Sequence, residues 1–247
     1  MQEYSVKLSI IIPCYNEEAG IPHLARRLLP AVENLKKNNE IELLFVDDGS
    51  TDNTYKLLLQ HFSAAVNVNV KVLKHPQNKN LGAALKTGFA AATGDIVAAL
   101  DSDCTYDPLI LESMISLMDA ETDIVTVSPY HPLGKVSNVP PYRLLLSKGI
   151  SKIYNLLLSS HLYTYTAMVR VYKKKVPEEV HFTSDTFLGV TELMIKSLLQ
   201  GYRVKEFPAE LRVRQFGVSK MKMYRIIKDH VSFIGKIVLY KIAKKEF

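Results

Sequence analysis

The chain has 247 residues, of which 47% are hydrophobic and 23% are charged. This composition supports a folded α/β protein with a sizeable core and excludes a largely disordered chain. Two cysteines provide no disulfide framework, which suits the reducing cytoplasm. No stretch approaches the roughly 20 apolar residues of a membrane-spanning helix, and no signal-peptide pattern is present. We therefore expect a soluble or membrane-peripheral protein, and the net charge of +6 favours anionic partners.

Short apolar segments alternate with helix-like segments through the first half of the chain. The predicted strands are residues 8–12, 41–46, 68–73, 96–100 and 124–127. The predicted helices are residues 17–29, ending before Pro30, then a helix ending at Leu59, then residues 82–92 and 108–118. This alternation predicts a mostly parallel sheet that is covered by helices on both faces.

The second half of the chain is less regular. It contains an apolar helix over residues 139–160 with a break near Gly149, a helix over residues 186–200 and a strand over residues 202–211. Residues 221–247 predict a basic amphipathic helix that could lie on an anionic membrane. A helix packed on the domain with a solvated basic face would show the same pattern. We predict one domain over residues 1–220 followed by this C-terminal helix.

Polar motifs follow three predicted strands, at residues 15–17, 47–50 and 101–103. In parallel sheets, ligands bind beyond the carboxyl ends of the strands, so we expect one shared site. Asp101 and Asp103 follow a strand of buried type, where two carboxylates need a compensating cation. Mg²⁺ or Mn²⁺ commonly joins such carboxylates to substrate phosphates, which predicts both as metal ligands. The alternative is a solvated loop with helix-capping aspartates.

The motif after the second strand contains both capping and acceptor groups. Ser50 or Thr51 could cap the next helix, which leaves Asp47 and Asp48 free to accept a hydrogen bond from a base or ribose. Neither a G-x-G-x-x-G nor a P-loop pattern occurs, which disfavours dinucleotide oxidoreductases and P-loop enzymes.

These segments, in this order, resemble family 2 glycosyltransferases, whose nucleotide-sugar-binding fold is called GT-A. The resemblance covers residues 8–110 and returns over residues 187–220, where the motifs resemble the polyprenyl-phosphate (dolichol-phosphate mannosyltransferase-like) branch. It implies a Rossmann-like, three-layer α/β fold. Asn80 stands where the family usually has glycine, and because Asn tolerates positive φ, the turn can be kept.

The resemblance also implies roles for individual residues. Asp101 and Asp103 would hold the metal and the diphosphate and serve catalysis. The nucleotide-binding candidates are Pro13, Tyr15, Glu17, Asn78, Lys86 and either Asp47 or Asp48. The candidates for binding phosphate groups are the acceptor-side Arg143, together with Arg214, Ser219 and Lys220. Of these, Arg214 and Lys220 would also serve catalysis.

By the same resemblance, the reaction is inverting transfer of a hexose to polyprenyl or dolichyl phosphate, with Mg²⁺ or Mn²⁺, at the cytoplasmic face of a membrane. GDP-mannose, UDP-glucose and UDP-N-acetylglucosamine are all compatible donors. A hydroxyl acceptor would need a carboxylate base, for which Asp185 and Glu192 are the candidates.

Two rival functions fit the sequence less well. A sugar nucleotidyltransferase would carry a glycine-rich basic loop after the first strand, and residues 13–17 are not such a loop. A non-catalytic lipid- or nucleic-acid-binding module would leave the paired acidic motifs without a role. We therefore expect no nucleic-acid partner.

Overall fold

The computed structural model describes residues 6–63, 67–216 and 223–243. In chain order the elements are β1 (Val6–Cys14), α1 (Ile21–Leu35), β2 (Asn39–Asp47), α2 (Thr54–Phe62), β3 (Asn69–Lys74), α3 (Leu81–Ala91), β4 (Ile96–Ala99), α4 (Ile110–Ser116), β5 (Ile124–Ser128), β6 (Lys135–Ser137), α5 (Pro141–Leu158), β7 (Arg170–Lys173), α6 (Lys175–Glu179), α7 (Leu188–Leu199), β8 (Val204–Pro208), β9 (Glu210–Arg212) and α8 (Met223–Ala243). Every strand and helix predicted over the first half is present.

Seven strands form the central sheet, in the order β3-β2-β1-β4-β7-β5-β8. All neighbours are parallel except β7, which runs antiparallel to both β4 and β5. The predicted mostly parallel sheet is therefore confirmed. From β1, the strands β2 and β3 follow in order toward one edge of the sheet, whereas β4 lies on the other side of β1. The direction of the strand order therefore reverses between β1 and β4. A ligand crevice is expected outside the carboxyl ends of strands at such a reversal.

Two apolar cores lie on opposite faces of this sheet. Along β1, Ile10 and Ile12 pack into one core with residues of α1, α2 and α4, while Ile11 packs into the other with residues of α3, α7 and α8. Alternate side chains of a strand point to opposite faces, so one strand contributes to both cores. This arrangement gives the three predicted layers.

Helix α3 lies unusually close to its neighbours because of two glycines. A Cβ at Gly88 would lie 2.3 Å from Ile11 Cγ2, and a Cβ at Gly82 would lie 2.2 Å from the carbonyl oxygen of Ser184. Asn80, just before the helix, has φ of 74°, as its tolerance for that region allows. The helix therefore begins directly against residues 184–186, of which Thr186 lines the cleft described below.

The prediction that the first helix ends before Pro30 is wrong, since α1 continues to Leu35. Pro30 lies on the exposed face, where water can satisfy the carbonyl that loses its backbone partner. Val32 and Leu35 are buried beyond it. Burial of that final turn outweighs the local preference to stop.

Two further predictions differ from the structure in the second half, and three short elements were missed. Helix α5 runs without a break through Gly149. The predicted strand over residues 202–211 divides at Ala209 into β8, in the main sheet, and β9, which pairs with β6. The short elements β6, β7 and α6 were not predicted from the sequence.

Arg170, a fully buried arginine on β7, connects several elements of the second half of the chain through hydrogen bonds. The guanidinium of Arg170 donates to the hydroxyl of Thr126 at 3.3 Å and to the carbonyls of Val190 and Tyr165, at 2.5 and 2.6 Å. Arg170 thus connects β5 and β7 to the start of α7 and to the segment just after Tyr163. That segment forms part of the cleft wall.

Helix α8 is packed on the domain along one side. Phe233 and Ile237 are buried in the core. The hydroxyl of Tyr154 on α5 lies 2.7 Å from His230 Nδ1, and Thr186 donates to Asp229 at 2.9 Å. The predicted boundary between residues 220 and 221 falls outside the described residues. Across the three described ranges, no helix has the length and apolar character needed to cross a membrane.

Candidate active site

A cleft of about 1300 Å³ opens at the carboxyl ends of β1, β2 and β4 and extends between α5 and α8. Most of the predicted site residues line it. They are Pro13, Tyr15, Glu17, Asp48, Asn78, Asp101, Asp103, Arg143 and Arg214. Asp47 and Lys86 do not line it, and Ser219 and Lys220 lie outside the described residues. The three motifs that follow separate strands thus meet in one place.

Asp101 and Asp103 form the acidic end of the cleft, just beyond β4. In the turn that follows Asp103, Cys104 has φ of 51°, and the amide of Thr105 donates to Asp103 Oδ1 at 3.1 Å. Burial raises the pKa of Asp101 far above the usual range of a carboxyl, and the charge of Asp103 raises it further, against the opposing effect of Arg214. A divalent cation bound between the two carboxylates would favour the ionised form of Asp101.

This donor set fits a divalent cation that shares its ligands with a substrate. The described parts of the chain contain no cluster of three or more His, Cys, Asp or Glu residues suited to a metal ion. Mg²⁺ is typically bound through one or two carboxylates together with water and substrate phosphates. Asp101 and Asp103 would supply the two carboxylates, and a diphosphate would supply the remaining oxygens.

Arg214, in the segment that follows β9, contacts the acidic end of the cleft. Its guanidinium donates to Asp103 Oδ2 at 2.7 and 3.1 Å and to Glu17 Oε1 at 3.3 Å. The amide of Arg212 donates to the carbonyl of Thr105 at 2.9 Å, which fixes the segment that carries Arg214 beside the Asp101–Asp103 turn. A cation in this position can contact a diphosphate bound at the same carboxylates.

The two aspartates that end β2 have different surroundings. Asp47 is buried, and its Oδ1 accepts the amide of Ser50 at 3.0 Å, which closes the turn. Asp48 lines the cleft, where its carboxylate accepts the amide of Lys79 at 2.9 Å and the side-chain amide of Asn78 at 2.9 Å. Of the two alternatives, the structure therefore brings Asp48 to the ligand side.

Ser50 and Thr51 do not cap the next helix, contrary to the prediction. The amide of Asn16 donates to Ser50 Oγ at 2.9 Å, and the amide of Thr51 donates to Asn16 Oδ1 at 2.8 Å. Residue Asn53 occupies the N-cap position of α2 without a side-chain capping bond. The motif instead fastens the loop after β1 to the loop after β2, which holds Tyr15 and Glu17 in the cleft wall.

The structure does not bring Lys86 to the cleft. Its ammonium donates to the carbonyl of Thr183 at 2.9 Å and to Asp185 Oδ1 at 2.8 Å, and it lies over the ring of Phe182. Lys86 therefore connects α3 to the segment before α7. The predicted helix over residues 82–92 does lie beside the site, but Lys86 serves packing in this structure.

Glu192 and Asp185, the candidate bases for a hydroxyl acceptor, are both engaged outside the cleft lining. Burial raises the pKa of Glu192, but hydrogen bonds from the amides of Thr183 and Ser184, together with Lys196, outweigh burial and lower it. Asp185 pairs with Lys86. Neither carboxylate faces the space that an acceptor would occupy.

The family model for glycosyl transferase family 2 matches residues 9–180. The chain belongs to this family. Dolichol-phosphate mannosyltransferase from Pyrococcus furiosus is 31% identical over 250 residues, which cover 96% of this chain and 68% of that protein. The P. furiosus enzyme and the family model together confirm the resemblance read from the motifs.

Solved structures of a second enzyme share the fold. Glucosyl-3-phosphoglycerate synthase from Mycobacterium tuberculosis, in complex with Mn²⁺, UDP and phosphoglyceric acid, has a TM-score of 0.68 and 19% identity, covering 95% of this chain and 78% of that chain. Its complex with Mg²⁺ and UDP has the same TM-score and coverage at 18% identity. At this identity the likeness concerns the fold alone, and it confirms the predicted GT-A architecture.

Several cleft residues of this glycosyltransferase were missed from the sequence. Tyr106, directly beyond the acidic turn, is buried beside Asp101, and burial and that carboxylate both raise the pKa of its hydroxyl. Tyr130 also lines the cleft, with Lys148 over its ring. Position after a strand end was the available signal for both, since β4 precedes Tyr106 and β5 precedes Tyr130.

Helices α5 and α8 give the far side of the cleft an apolar wall. Its aliphatic residues are Leu145, Leu146, Ile150, Ile153, Ile226, Ile227, Val231 and Ile234. Arg143, at the start of α5, lies where this wall meets the polar end. Within the described chain, its Nε is buried without a hydrogen-bond partner, and no carboxylate pairs with the guanidinium. The cleft of this glycosyltransferase is thus acidic at one end, apolar at the other and cationic between them.

Proposed function

We propose that this glycosyltransferase moves a hexose from a nucleotide sugar to a polyprenyl phosphate, with a divalent cation and with inversion at the sugar. The observation that carries the proposal is the continuity of the cleft. One space joins the Asp101–Asp103 carboxylates to the α5–α8 wall, with Arg143 at the junction. A substrate with a phosphate head and a hydrocarbon chain matches the junction and the wall.

The donor binds along the carboxyl ends of the strands in this proposal. Asp48 follows β2, and the acidic turn follows β4, with β1 between them. Neighbouring strands are about 4.8 Å apart, so the two ends of the donor site are roughly 10 Å apart, a span suited to a ribose and a diphosphate. The nucleoside therefore lies toward Asp48 and the diphosphate toward Asp103.

The chemistry follows from charge. As an oxygen of the acceptor phosphate bonds to the anomeric carbon, the bond from that carbon to the diphosphate breaks, and negative charge grows on the leaving group. A divalent cation, when bound, neutralises that charge. Arg214 stabilises the same charge from the protein side, and Arg143 holds the second anion close to the first. Because a lipid phosphate is already ionised near pH 7, the reaction needs little help from a general base.

The relatives support this assignment without fixing the sugar. The P. furiosus relative is named for mannose transfer to dolichol phosphate. The M. tuberculosis enzyme was crystallised with UDP-glucose and phosphoglyceric acid. A hydroxyl acceptor is less well supported, since neither Asp185 nor Glu192 faces the cleft.

Sugar transfer can be tested directly with purified enzyme. We expect labelled sugar from GDP-mannose, UDP-glucose or UDP-N-acetylglucosamine to appear on a short polyprenyl phosphate only when Mn²⁺ or Mg²⁺ is present. The same polyprenol without its phosphate should accept no sugar. Transfer to the polyprenol, or activity that survives a chelator, would contradict the proposal.

We further propose that α8 and α5 hold the enzyme on an anionic membrane surface, so that it can reach a lipid acceptor. Apolar side chains are exposed along both helices; on α5 they include Leu145 and Leu156, and on α8 Val231, Leu239 and Ile242. Basic residues accompany them, namely Lys148, Lys152, Arg225, Lys228, Lys236 and Lys241. Exposed apolar and basic side chains together favour the interface of an anionic bilayer.

Flotation with anionic vesicles tests membrane binding. Wild-type protein should float with the vesicles, and the double variant Leu239→Glu/Ile242→Glu should remain in the dense fraction, because it places two carboxylates on the exposed face of α8. Leu59→Glu, at an exposed leucine on α2 across the sheet, is the matched control and should float normally. Truncation of α8 is unsuitable, since Phe233 and Ile237 belong to the core. Equal flotation of all three proteins would rule out this surface.

A further inference from the structure

His75 is a buried histidine, only 7% exposed, that directly follows β3 and has no role in the reaction described above. Its Nδ1 lies 2.6 Å from Asp48 Oδ1, and its Nε2 lies 2.9 Å from the hydroxyl of Thr87 on α3. Both ring nitrogens are therefore engaged. The ring connects the carboxylate at the nucleoside end of the cleft to a helix on one face of the sheet.

The partners of the ring determine which nitrogen carries a proton. An ionised carboxylate can only accept hydrogen bonds, so Nδ1 of His75 donates to Asp48. The hydroxyl of Thr87 can accept or donate, and it satisfies Nε2 in either case. Thr87 thus sets the plane of the ring, and the ring sets the direction of the bond to Asp48.

Among the described residues, three groups hold the Asp48 carboxylate. Oδ1 accepts from His75 and from the amide of Lys79, and Oδ2 accepts from the side chain of Asn78. A carboxylate offers about four acceptor positions. Three are filled by the protein, and Asp48 lines the cleft. An orientation fixed in advance lets the remaining position meet a ligand without loss of side-chain freedom.

We propose that His75, fixed by Thr87, is a positioning residue that orients Asp48 toward the nucleoside of the donor. The inference rests on the proposed function, because it takes the ligand of Asp48 to be part of a nucleotide sugar. Asp48 stands two strands away from the acidic turn. His75 therefore acts on the nucleoside end and leaves the diphosphate end unaffected.

This separation gives a readout that a merely structural role would not produce. Binding of Mn²⁺ with UDP or GDP depends on both ends of the site. Binding of Mn²⁺ with pyrophosphate depends on the acidic end alone. Loss of the His75 contact should weaken the binding of the nucleoside diphosphate by roughly 10- to 100-fold, as expected for one hydrogen bond to a charged group. The affinity for pyrophosphate should be unchanged.

Titration calorimetry on the full chain tests this with three variants. His75→Leu removes both contacts of the ring. His75→Asn keeps a side-chain N–H that can reach Asp48, and should recover most of the affinity for the nucleoside diphosphate. Thr87→Val removes the hydroxyl with little change in volume, and should weaken the nucleoside diphosphate several-fold through the freed ring. Should His75→Leu fail to fold, the pair His75→Asn and Thr87→Val carries the comparison.

The outcomes separate this inference from the proposed function. If the His75 variants bind pyrophosphate and the nucleoside diphosphate equally weakly, or bind both as tightly as wild type, the role of His75 is overturned. The proposed function as a nucleotide-sugar enzyme would still stand. If wild-type protein binds pyrophosphate with Mn²⁺ as tightly as it binds any nucleoside diphosphate, the role of His75 and the proposed function are both overturned. Selective weakening of the nucleoside diphosphate supports the assignment.

Discussion

Replacing Asp103 by Asn is expected to reduce sugar transfer by roughly 100- to 1,000-fold, a loss typical of removing one group that stabilises charge in the transition state. Asp103 is the carboxylate that both borders the acidic turn and contacts Arg214, at 2.7 Å. Its removal weakens the hold on the metal and frees Arg214 from its closest partner. Both effects act at the point where the leaving diphosphate develops charge.

The experiment measures kcat/KM for transfer together with calorimetric binding of Mn²⁺ in the presence of a nucleoside diphosphate. Asp107→Asn is a matched control, because Asp107 lies in the same loop but pairs with Arg27 and does not line the cleft. Its activity should stay within a few-fold of wild type. Full activity of Asp103→Asn would show that the acidic turn is not the metal end of the site.

Arg143→Met should lower kcat/KM for the polyprenyl phosphate by roughly 10- to 100-fold, as expected for the loss of charge-assisted hydrogen bonds to a phosphate. The guanidinium lines the cleft beside the apolar wall and has no carboxylate partner among the described residues. Methionine keeps much of the length of the side chain and removes only the charge and the donors. Affinity for the donor nucleotide should be unchanged.

Two companion variants sharpen this test. Arg143→Lys keeps the charge but loses the planar pair of donors, and should recover part of the activity. Lys56→Met removes an exposed positive charge from α2, outside the cleft and away from the proposed membrane surface, and should behave as wild type. If Arg143→Met lowers the affinity for the donor nucleotide as much as it lowers kcat/KM for the acceptor, the arginine belongs to the donor site instead.

Much of the fold could be predicted because the first half of the chain obeys local rules. Its strands are short apolar runs, each followed by a helical pattern, and the polar motifs mark where the strands end. The exception was Pro30, where burial of Val32 and Leu35 outweighed the preference of proline for a helix start. That balance depends on tertiary packing, which no local pattern contains.

The second half escaped prediction for a different reason. β7 carries Arg170, a charged residue that a sequence pattern assigns to the surface, although the fold buries it among a hydroxyl and two carbonyls. Its antiparallel direction also breaks the simple alternation of strand and helix. Two of the partners that satisfy Arg170, Thr126 and Val190, come from other elements of the fold, so only the assembled structure explains the burial.

Within the site, sequence could name the motifs but not always the residue. Asp47 and Asp48 are neighbours at a strand end, so which one meets the ligand depends on how the turn is closed, and the bond from Ser50 to Asp47 decides it. Lys86 was predicted from its helix, yet its side chain points to Asp185. His75 belongs to no motif, and only its contacts reveal it.

The groups proposed to bind the donor and those proposed to bind the acceptor come from different parts of the sequence. The groups assigned to the donor come from residues 13–103, on the uninterrupted parallel side of the sheet, with Arg214 as the one later addition. The groups assigned to the acceptor come from residues 143–234 and lie on helices α5 and α8. Changes in the later segments can therefore alter the choice of acceptor while the machinery for the activated sugar stays intact. A single scaffold of this kind can diversify its products through one half of its sequence.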